Sequence, residues 1–389
     1  MRDLLLGHRP KDFDICTSAH PAEIRSIFRN CRLIGRRFRL AHVYFKGGKV
    51  VEVATFRANP APPELGEEPE DLLITEDNVF GTAEQDARRR DFTINGLFYD
   101  VTLGKVIDYV NGLADLKGRV VRTIGDPEVR LREDPVRILR AVRFAARLDF
   151  ELDPATYAAM EGSVEDLPRC APARLLEESF RVLRSGAARR GVELLRALGA
   201  LRALMPPIDD FMAARPENAR QVFAYLAELD RTTPTERPHS DALLLAGLLS
   251  ALVESSIAQS ASDPDGRPGS VEAFPAIETL LSEMVRVARM PRRVAETARL
   301  ILFAQEVLSG HRKRRRAVLG LRHAQYFDDA LTLFAIGCQV RGTGSELLEK
   351  WRNRTEAELL PGQESGPRKR RRRGGRRRRA TSSHAPTPA

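Results

Sequence analysis

The order of apolar and polar residues predicts two kinds of structure along the chain. Up to about residue 105, short apolar runs alternate with turn residues, and the strand-like stretches 40–45 and 49–56 would be joined as a hairpin by a Gly-Gly turn. A further strand region runs from 92 to 106, and residues 21–28 have the spacing of a short helix. This part is predicted to fold as a small mixed-sheet head.

From about residue 126 the apolar period lengthens to that of a helix. In the run 133–148, Leu139, Val142 and Leu148 form one stripe, with Asp134 as the expected cap and Pro135 as the first helical residue. Further helices are predicted at 172–184, 187–204, 219–229, 239–254, 275–289, 292–308 and 324–339.

These patterns predict the α+β fold class, with four segments along the chain. The expected segments are a mixed-sheet head (1–105), a helical neck (106–204), a helical body (205–362) and a basic tail (363–389). Such a length is enough for two or three domains with a substantial core.

Composition restricts the class of protein. Of the 389 residues, 42% are apolar and 30% charged, which is typical of a soluble globular chain. The four cysteines have no C-x-x-C spacing, which argues against a zinc site or a disulfide framework and favours a reducing compartment. No signal peptide pattern is present, and the longest apolar run, 242–253, is too short to cross a bilayer. We expect a cytoplasmic bacterial protein without stable membrane insertion.

The net charge of +10 lies at one end of the chain. Ten of the 63 basic residues and none of the 53 acidic ones fall between 368 and 389, so the rest of the chain is neutral. We expect this run to be disordered and to bind nucleic-acid phosphates, although a solubility tail or an anchor on anionic lipid is an alternative. The expected RNA contacts are Arg368, Lys369, Arg370, Arg371, Arg376 and Arg377.

Two aspartates one residue apart, in the run PKDFDICT, are the first candidate for chemistry. On a strand, Asp12 and Asp14 would point to the same side, where two carboxylates suit a pair of Mg²⁺ ions that assist phosphoryl transfer; Mn²⁺ is an alternative. The alternative for any D-x-D is a surface turn. Glu52, within the apolar run VVEVATF, either faces solvent or is a third metal ligand.

Two arginine-rich runs are candidates for nucleotide binding. Arg36 and Arg37, in LIGRRFRLAHV, could bind triphosphate oxygens or lie on a solvated basic strand. Arg90 and Asp91, in ARRRDFTINGL, belong to a charge-dense turn that could hold ribose and phosphates, or Asp91 could simply cap a helix.

A third run combines acid and base on one helix face. Asp134 and Arg137 are three residues apart, so they could present an acceptor and a donor to a nucleotide base. A capping aspartate with an intrahelical ion pair is the alternative. The basic cluster 311–316 could be a solvated helix face or an RNA track.

Together these runs strongly resemble the class II nucleotidyltransferases of the polymerase-β superfamily, which comprise bacterial poly(A) polymerases and tRNA CCA-adding enzymes. The matching runs fall within residues 1–185 in family order: RDLLLGHRPKDFDICT, VVEVATFR, GTAEQDARRRDFTINGL, DYVNGLADLKGRVVRTIG, EDPVRILRAVRFAARL and APARLLEESFRVL. The run RNCRLIGRRFRLAHV and the Arg-rich tail are similar to the poly(A) polymerase branch.

The resemblance implies template-independent transfer of AMP from ATP to RNA 3′ ends, with release of pyrophosphate, two-metal catalysis and a role in RNA decay. It implies that Asp12 and Asp14 bind Mg²⁺, that Asp91 is the third acidic active-site residue, and that Asp134 and Arg137 recognise the base. The expected nucleotide contacts are Arg2, Asp3, Arg36, Arg37, Arg90, Asp134, Arg137 and Arg140. The expected partners are RNA 3′ ends, ATP and the RNA-decay machinery.

Two other functions are compatible with the same residues. One is a tRNA CCA-adding enzyme, and the other is a non-catalytic RNA-binding protein derived from a truncated enzyme. The second follows from one departure: relatives carry a Gly-Gly pair and a Val before the Arg-Asp of this motif, and Met1 stands here at the Val position. We therefore expect the protein to begin further upstream, with an additional strand.

Overall fold

The structure is a computed structural model of the whole chain. It describes residues 1–10, 13–35, 39–59, 79–234, 238–261, 278–279, 281–282, 284–286, 289–311 and 315–353. Within these residues a small sheet region near the N-terminus is followed by a long helical region, which confirms the α+β prediction. The segment boundaries given above stay a prediction.

The head is built on a four-stranded sheet. A short helix α1 (Arg2–Leu5) precedes it, and α2 (Pro21–Ile27) lies between its first two strands, with Pro21 in the first helical turn. The strand order is β1-β4-β3-β2, with β1 parallel to β4 and the other pairs antiparallel. The strands are β1 (Asp14–Thr17), β2 (Cys31–Ile34), β3 (Leu40–Tyr44) and β4 (Val50–Thr55).

The two faces of this sheet have different surroundings. Helix α2 packs on one face, where Ile24, Ala41, Val43 and Val53 form a small buried cluster. Because successive strand residues alternate sides, the neighbouring positions point to the opposite face, and we call it the open face. One row of paired residues crosses it, listed from β1 to β2: Asp14, Glu52, His42 and Arg32.

Several short elements connect the sheet to the helical region. Strand β5 (Arg57–Ala58) pairs with β6 (Val79–Phe80), and α3 (Ala83–Arg88) follows. The predicted strand region at 92–106 is a hairpin of β7 (Leu97–Asp100) and β8 (Lys105–Asp108), preceded by a 3₁₀ turn. Helix α4 (Gly112–Gly118) then packs directly on this turn.

Helices make up nearly all of the remaining described chain. Strands β9 (Val120–Val121) and β10 (Glu151–Leu152) form one short parallel pair among them. The helices are α5 (Pro127–Glu133), α6 (Arg137–Leu148), α7 (Pro154–Ser163), α8 (Pro172–Leu183), α9 (Ala188–Ala197), α10 (Ala200–Leu204), α11 (Pro206–Ala214), α12 (Pro216–Thr232), α13 (Asp241–Ala261), α14 (Arg292–Leu308), α15 (Arg315–Arg322), α16 (Phe327–Arg341) and α17 (Ser345–Asn353).

The apolar stripe predicted for the run 133–148 is confirmed, but the predicted cap is wrong. Leu139, Val142 and Leu148 are buried on α6. Asp134 instead lies between two helices, because α5 ends at Glu133 and α6 begins at Arg137. Proline lacks an N–H group and disfavours helical geometry in the residue before it, so the chain turns here before the second helix begins.

Two other predicted helices differ in extent. The stretch 187–204 forms two helices, α9 and α10, because Gly199 between them has a φ of +75°. The stretch 275–289 lies partly outside the described residues, and its described positions 278–279, 281–282 and 284–286 are helical.

Helix α13 is the most apolar helix of the described chain segments. Its residues 241–258 are long and apolar enough to cross a membrane by length and composition, although the run 242–253 alone is shorter. The helix packs against α12, α14 and α16, and 61% of that stretch is buried. Its apolar character is therefore accounted for by a central position in the helical body.

Candidate active site

Two carboxylates lie next to each other on the open face of the sheet. Asp14 on β1 is the register partner of Glu52 on β4, so the two side chains project from neighbouring strands to the same side. Asp14 is exposed, and 49% of the Glu52 side chain is accessible to solvent. Glu52 therefore faces solvent in this structure, which is compatible with both of the alternatives given for it. Its role as a metal ligand stays a prediction.

His42 is a neighbour of Glu52 that sequence reasoning left without a role. Its Nε2 atom lies 3.3 Å from Oε1 of Glu52, and the two residues are register partners on β3 and β4. The periodicity of the strands could have placed them together, but only after the order of the strands was known.

The donor atoms on this face suit a hard divalent cation. Mg²⁺ prefers carboxylate oxygens and keeps several waters, so an exposed pair of carboxylates fits it. Asp12, the third predicted ligand, lies outside the described residues. Among the described residues, no group of three or more His, Cys, Asp or Glu side chains is close enough to hold a metal ion.

A large cavity opens between the head and the first helices of the helical region. Its volume is about 980 Å³, in the range of a small-molecule site. Arginines dominate its wall, which favours an anionic ligand because guanidinium groups pair with phosphate oxygens. These arginines are Arg2, Arg89, Arg90, Arg137, Arg140, Arg147, Arg174 and Arg181.

Most of the predicted nucleotide contacts meet in this cavity. Those that line it are Arg2, Asp3, Arg90, Asp134, Arg137 and Arg140, together with Asp91. Arg36 and Arg37 lie outside the described residues, as do the tail residues 368–389. The structure therefore brings together six of the predicted contacts.

Arg90 connects the cavity to the open face. Its Nη2 atom lies 3.8 Å from Sγ of Cys16, and Cys16 is two residues from Asp14 on the same side of β1. Arg90 also binds Asp86 at 3.1 Å and donates a hydrogen bond to the carbonyl oxygen of Asn95. Arg90 therefore links the cavity wall to β1, although Asp14 and Glu52 do not themselves line the cavity.

A chain of hydrogen bonds runs along the cavity wall. Arg2 donates to Oδ1 of Asn95 at 2.6 Å, and Asn95 donates to Oδ1 of Asp91 at 2.9 Å. The other oxygen of Asp91 binds the guanidinium of Arg140 at 2.6 Å. This chain joins α1, which precedes the sheet, to α6 in the helical region.

Asp91 is buried, and both of its oxygens are occupied. Burial raises the pKa of this carboxyl group, but Arg140, the Asn95 amide and the Phe92 N–H outweigh burial and hold the pKa below its usual value. An ionised carboxylate in this position holds Arg140 on the cavity wall. A catalytic role of Asp91 stays a prediction. Its contacts with Arg140 and Asn95 favour a role in positioning Arg140.

Asp134 and Arg137 both line the cavity, but their side chains do not bind each other. Oδ2 of Asp134 accepts a hydrogen bond from Arg174 at 2.7 Å. Arg137 binds the carbonyl oxygen of Arg130 and, at 2.9 Å, Oε2 of Glu133. The alternative of an ion pair between Asp134 and Arg137 is therefore wrong, because each has another partner.

One acceptor on the cavity wall is left open. Oδ1 of Asp134 is buried and has no hydrogen-bond partner among the described residues. A buried acceptor without a partner costs free energy unless a ligand or water supplies a donor. The atom is therefore a candidate contact for the exocyclic amino group of a base.

Helix α8 contributes site residues that sequence reasoning did not name. Glu178 is buried and binds Arg140 at 3.5 Å, Arg143 at 3.2 Å and Arg181 at 2.9 Å. Arg174, one turn earlier, binds Asp134. The run APARLLEESFRVL contains these residues, but only the packing of α8 against α6 reveals their partners.

Comparison with known proteins identifies the family. The family model described as "Poly A polymerase head domain" matches residues 1–122, and the one described as "Probable RNA and SrmB- binding site of polymerase A" matches residues 149–212. Poly(A) polymerase I of Salmonella typhimurium is 38% identical over 379 residues, which span 93% of this chain and 79% of that protein. This chain belongs to the poly(A) polymerase family.

CCA-adding enzymes are also similar to this chain. The crystal structure of the Bacillus stearothermophilus CCA-adding enzyme in complex with CTP has a TM-score of 0.64 and 27% identity, covering 90% of this chain and 75% of that one. In sequence, the CCA-adding enzyme of Lactobacillus helveticus is 36% identical over 182 residues, 47% of this chain and 44% of that protein. The predicted resemblance is confirmed. In sequence, the likeness to the Salmonella poly(A) polymerase spans about twice as much of the chain as the likeness to the Lactobacillus CCA-adding enzyme.

Proposed function

We propose that this nucleotidyltransferase adds AMP from ATP to RNA 3′ ends without a template and releases pyrophosphate. The observation that carries the proposal is the pair Asp14 and Glu52 on the open face, beside an arginine-lined cavity that Arg90 connects to it. Phosphoryl transfer needs positioning of the nucleotide and neutralisation of its charge, and this arrangement supplies both.

Asp14 and Glu52, together with Asp12, would hold Mg²⁺. The bound ions would lower the pKa of the attacking 3′-hydroxyl and stabilise the charge of the leaving pyrophosphate. The chain's own cations would hold the triphosphate, because guanidinium groups are always charged and bind phosphate oxygens in pairs. Arg140, fixed between Asp91 and Glu178, is the best oriented of them.

Selection of the base would fall to the part of the cavity around Asp134. Its open Oδ1 acceptor can receive a hydrogen bond from an amino group, which adenine and cytosine both carry. The 6-amino group of adenine and the 4-amino group of cytosine correspond to carbonyl oxygens in guanine and uracil. In that position guanine and uracil would leave the acceptor buried without a donor, so rejection of both follows. The choice between adenine and cytosine needs further contacts, and Arg137 and Arg174 are the nearest candidates.

A CCA-adding activity is the second candidate, favoured by the likeness to the CTP-bound enzyme described above. The two activities differ in product rather than in chemistry. Incubation with Mg²⁺, each of the four nucleotides, a tRNA that lacks its CCA end and an unrelated RNA separates them. Long adenosine tails on the unrelated RNA support the proposal, whereas addition that stops after C, C and A on the tRNA supports the second candidate.

A third outcome is salt-sensitive RNA binding without incorporation of any nucleotide, which would support a non-catalytic RNA-binding protein.

The proposal includes that the protein acts in the cytoplasm and that its product reaches the RNA-decay machinery. The second point follows from the activity, because adenylated RNA 3′ ends would be passed to enzymes that degrade RNA.

A further inference from the structure

The open face of the sheet continues past Glu52 towards the turn between β3 and β4. Beside this end stand one exposed aromatic and two exposed basic side chains, and we call them the basic–aromatic patch: Arg32, Tyr44 and Lys46. Tyr44 is 37% exposed, and the guanidinium carbon of Arg32 lies 5.9 Å from the centre of the Tyr44 ring.

The backbone brings these residues together. The N–H of Tyr44 donates a hydrogen bond to the carbonyl oxygen of Asn30 at 2.9 Å, and the N–H of Phe45 donates one to Lys49 at 2.7 Å. Arg32 is paired with His42, two residues before Tyr44 on β3. The patch is therefore held by the sheet and its turn, which makes it a fixed surface.

The two cations of the patch have no acidic partner. In the part of the chain that the structure describes, no carboxylate lies within ion-pairing distance of Arg32 or Lys46. In contrast, the cavity arginines Arg90, Arg140 and Arg174 each bind a carboxylate. Unpaired cations beside exposed rings are complementary to single-stranded nucleic acid, whose phosphates bind the cations and whose bases stack on the rings.

The patch and the cavity lie on opposite sides of the predicted metal ligands. Tyr44 is paired with Val50, two residues before Glu52 and so about 7 Å from it along the strand. Cys16, which touches Arg90 of the cavity, lies two residues beyond Asp14 in the other direction. The pair Asp14 and Glu52 therefore lies between the two surfaces.

This order matches the geometry of phosphoryl transfer. The attacking oxygen and the leaving oxygen lie roughly in line on opposite sides of the phosphorus. With the triphosphate in the cavity, the attacking hydroxyl has to arrive from the side of the patch. We propose that the basic–aromatic patch binds the RNA strand just before its 3′ end and so directs the 3′-hydroxyl towards Asp14 and Glu52. The inference rests on the proposed function.

The first test compares two double variants of the full chain by RNA binding without ATP or Mg²⁺. Arg32→Gln with Lys46→Gln removes the two patch charges, whereas Lys105→Gln with Lys117→Gln removes two exposed charges elsewhere on the head and its neighbouring helix. The slope of log K against log salt for a single-stranded oligonucleotide should decrease by about 1.4 in the first, at about 0.7 per lost phosphate contact, and stay constant in the second. Equal slopes in both double variants would overturn the proposal.

The second test uses the stacking ring. Tyr44→Ala should raise the dissociation constant for RNA about fivefold or more, because stacking of one base is worth that much, whereas Tyr44→Phe keeps the ring and the affinity. In the AMP incorporation assay, the KM for RNA should rise in Tyr44→Ala while the KM for ATP stays constant. If Tyr44→Ala and Tyr44→Phe bind RNA with the same affinity, the proposal that the patch binds RNA is refuted.

The two proposals can fail separately. If the parent chain incorporates AMP but neither patch variant changes RNA binding, the proposed function stands and the patch is excluded as an RNA-binding surface. Selective loss of RNA binding without any incorporation in the parent chain would support the patch as an RNA surface and exclude the enzyme. Thermal denaturation of each variant checks that the fold is retained.

Discussion

Arg140 lies between two buried carboxylates, with Nη2 2.6 Å from Oδ2 of Asp91 and Nη1 3.5 Å from Oε1 of Glu178. One carboxylate comes from the segment after α3 and the other from α8, so a single guanidinium group joins three separate parts of the chain. Its long side chain also lies near the ring of Phe144. The cation that faces the cavity is thereby held in one orientation.

Replacement of Asp91 by Asn should destabilise the protein. The half-buried guanidinium of Arg140 would lose its charged partner at Asp91 but keep Glu178. The cost should therefore be about 1–3 kcal/mol, which is less than the cost of breaking a fully buried ion pair. The free energy of unfolding in urea measures this cost. Glu84→Gln is the control, since its exposed pair with Arg88 contributes about 0–1 kcal/mol.

The same carboxylate predicts an acid-sensitive contribution to stability. The pKa of Asp91 is lowered in the folded protein, so its contribution is fully present above the ordinary aspartate pKa of 3.8 and is lost as the pH falls through the folded value. Asp91→Asn should therefore show a weaker loss of stability on acidification than the parent. Parallel pH profiles of the two proteins would contradict this prediction.

Replacement of Asp14 by Asn should abolish AMP incorporation, with a decrease of about 10²–10³-fold or more, because a ligand of the ions that stabilise the transition state is lost. RNA affinity should stay close to that of the parent. Asp100→Asn, in the exposed hairpin turn, is the matched control, since an Asn side chain can still accept from the Thr102 N–H. Chelation of divalent metal should abolish activity, and added Mg²⁺ or Mn²⁺ should restore it. Full activity of Asp14→Asn would exclude this metal site.

Two glycines should respond to alanine in opposite ways. At Gly112 a Cβ atom would overlap the backbone of Thr93, so the head would have to shift and the free energy of unfolding should fall. At Gly162, inside α7, nothing lies within 4 Å of the added atom. Alanine there should stabilise the helix by about 0.5–1 kcal/mol. Chemical denaturation of both variants measures the difference, and a loss of similar size at both positions would be inconsistent with this packing.

His239 should make stability sensitive to mild acid. Burial lowers its pKa from the ordinary value of 6.5, and Asp329 only partly opposes this effect. The unfolded state therefore binds more protons below about pH 6.5, and stability should fall as the pH decreases from 7 to 5. His239→Gln should lose part of this pH dependence in thermal denaturation. If the pH dependence of stability is the same in His239→Gln and in the parent protein, other titratable groups cause it.

Deletion of residues 368–389 should weaken RNA binding mainly at low salt. Ten basic residues are lost, and each phosphate contact contributes about 0.7 to the salt slope for single strands. A smaller slope after deletion is the expected result. If the slope does not change, the tail has a role other than binding RNA.

Local sequence signals predicted part of the sheet, although strand β2 was not foreseen. The β3–β4 hairpin, the buried stripe of α6 and the strand position of Asp14 all depend on neighbours within a few residues, so periodicity and turn residues were sufficient. Predicted helix ends were less accurate. Pro135 was expected to begin a helix, but it lies in a turn between two helices.

The partners of the site residues could not be predicted in the same way. Asp134 binds Arg174, and Arg140 binds Asp91 and Glu178, across separations of 38–49 residues. Spacing along one helix favoured Asp134 with Arg137, whereas the helix break and the packing of α8 gave each a different partner. Six of the eight nucleotide contacts expected from the family resemblance line the cavity, but the resemblance carried no information about these contacts between side chains.

The small core under the sheet predicts easier local unfolding of the sheet than of the helical region. Among the described residues, the cluster between α2 and the sheet consists of Ile24, Ala41, Val43 and Val53, whereas the helical region shares one extended core. Little apolar area opposes local unfolding of such a unit. Backbone amides of β1 and β4 should therefore exchange with deuterium before those of α6 and α13. The carboxylates that would bind metal lie on the part of the molecule that opens most readily, so bound metal and nucleotide would slow that exchange.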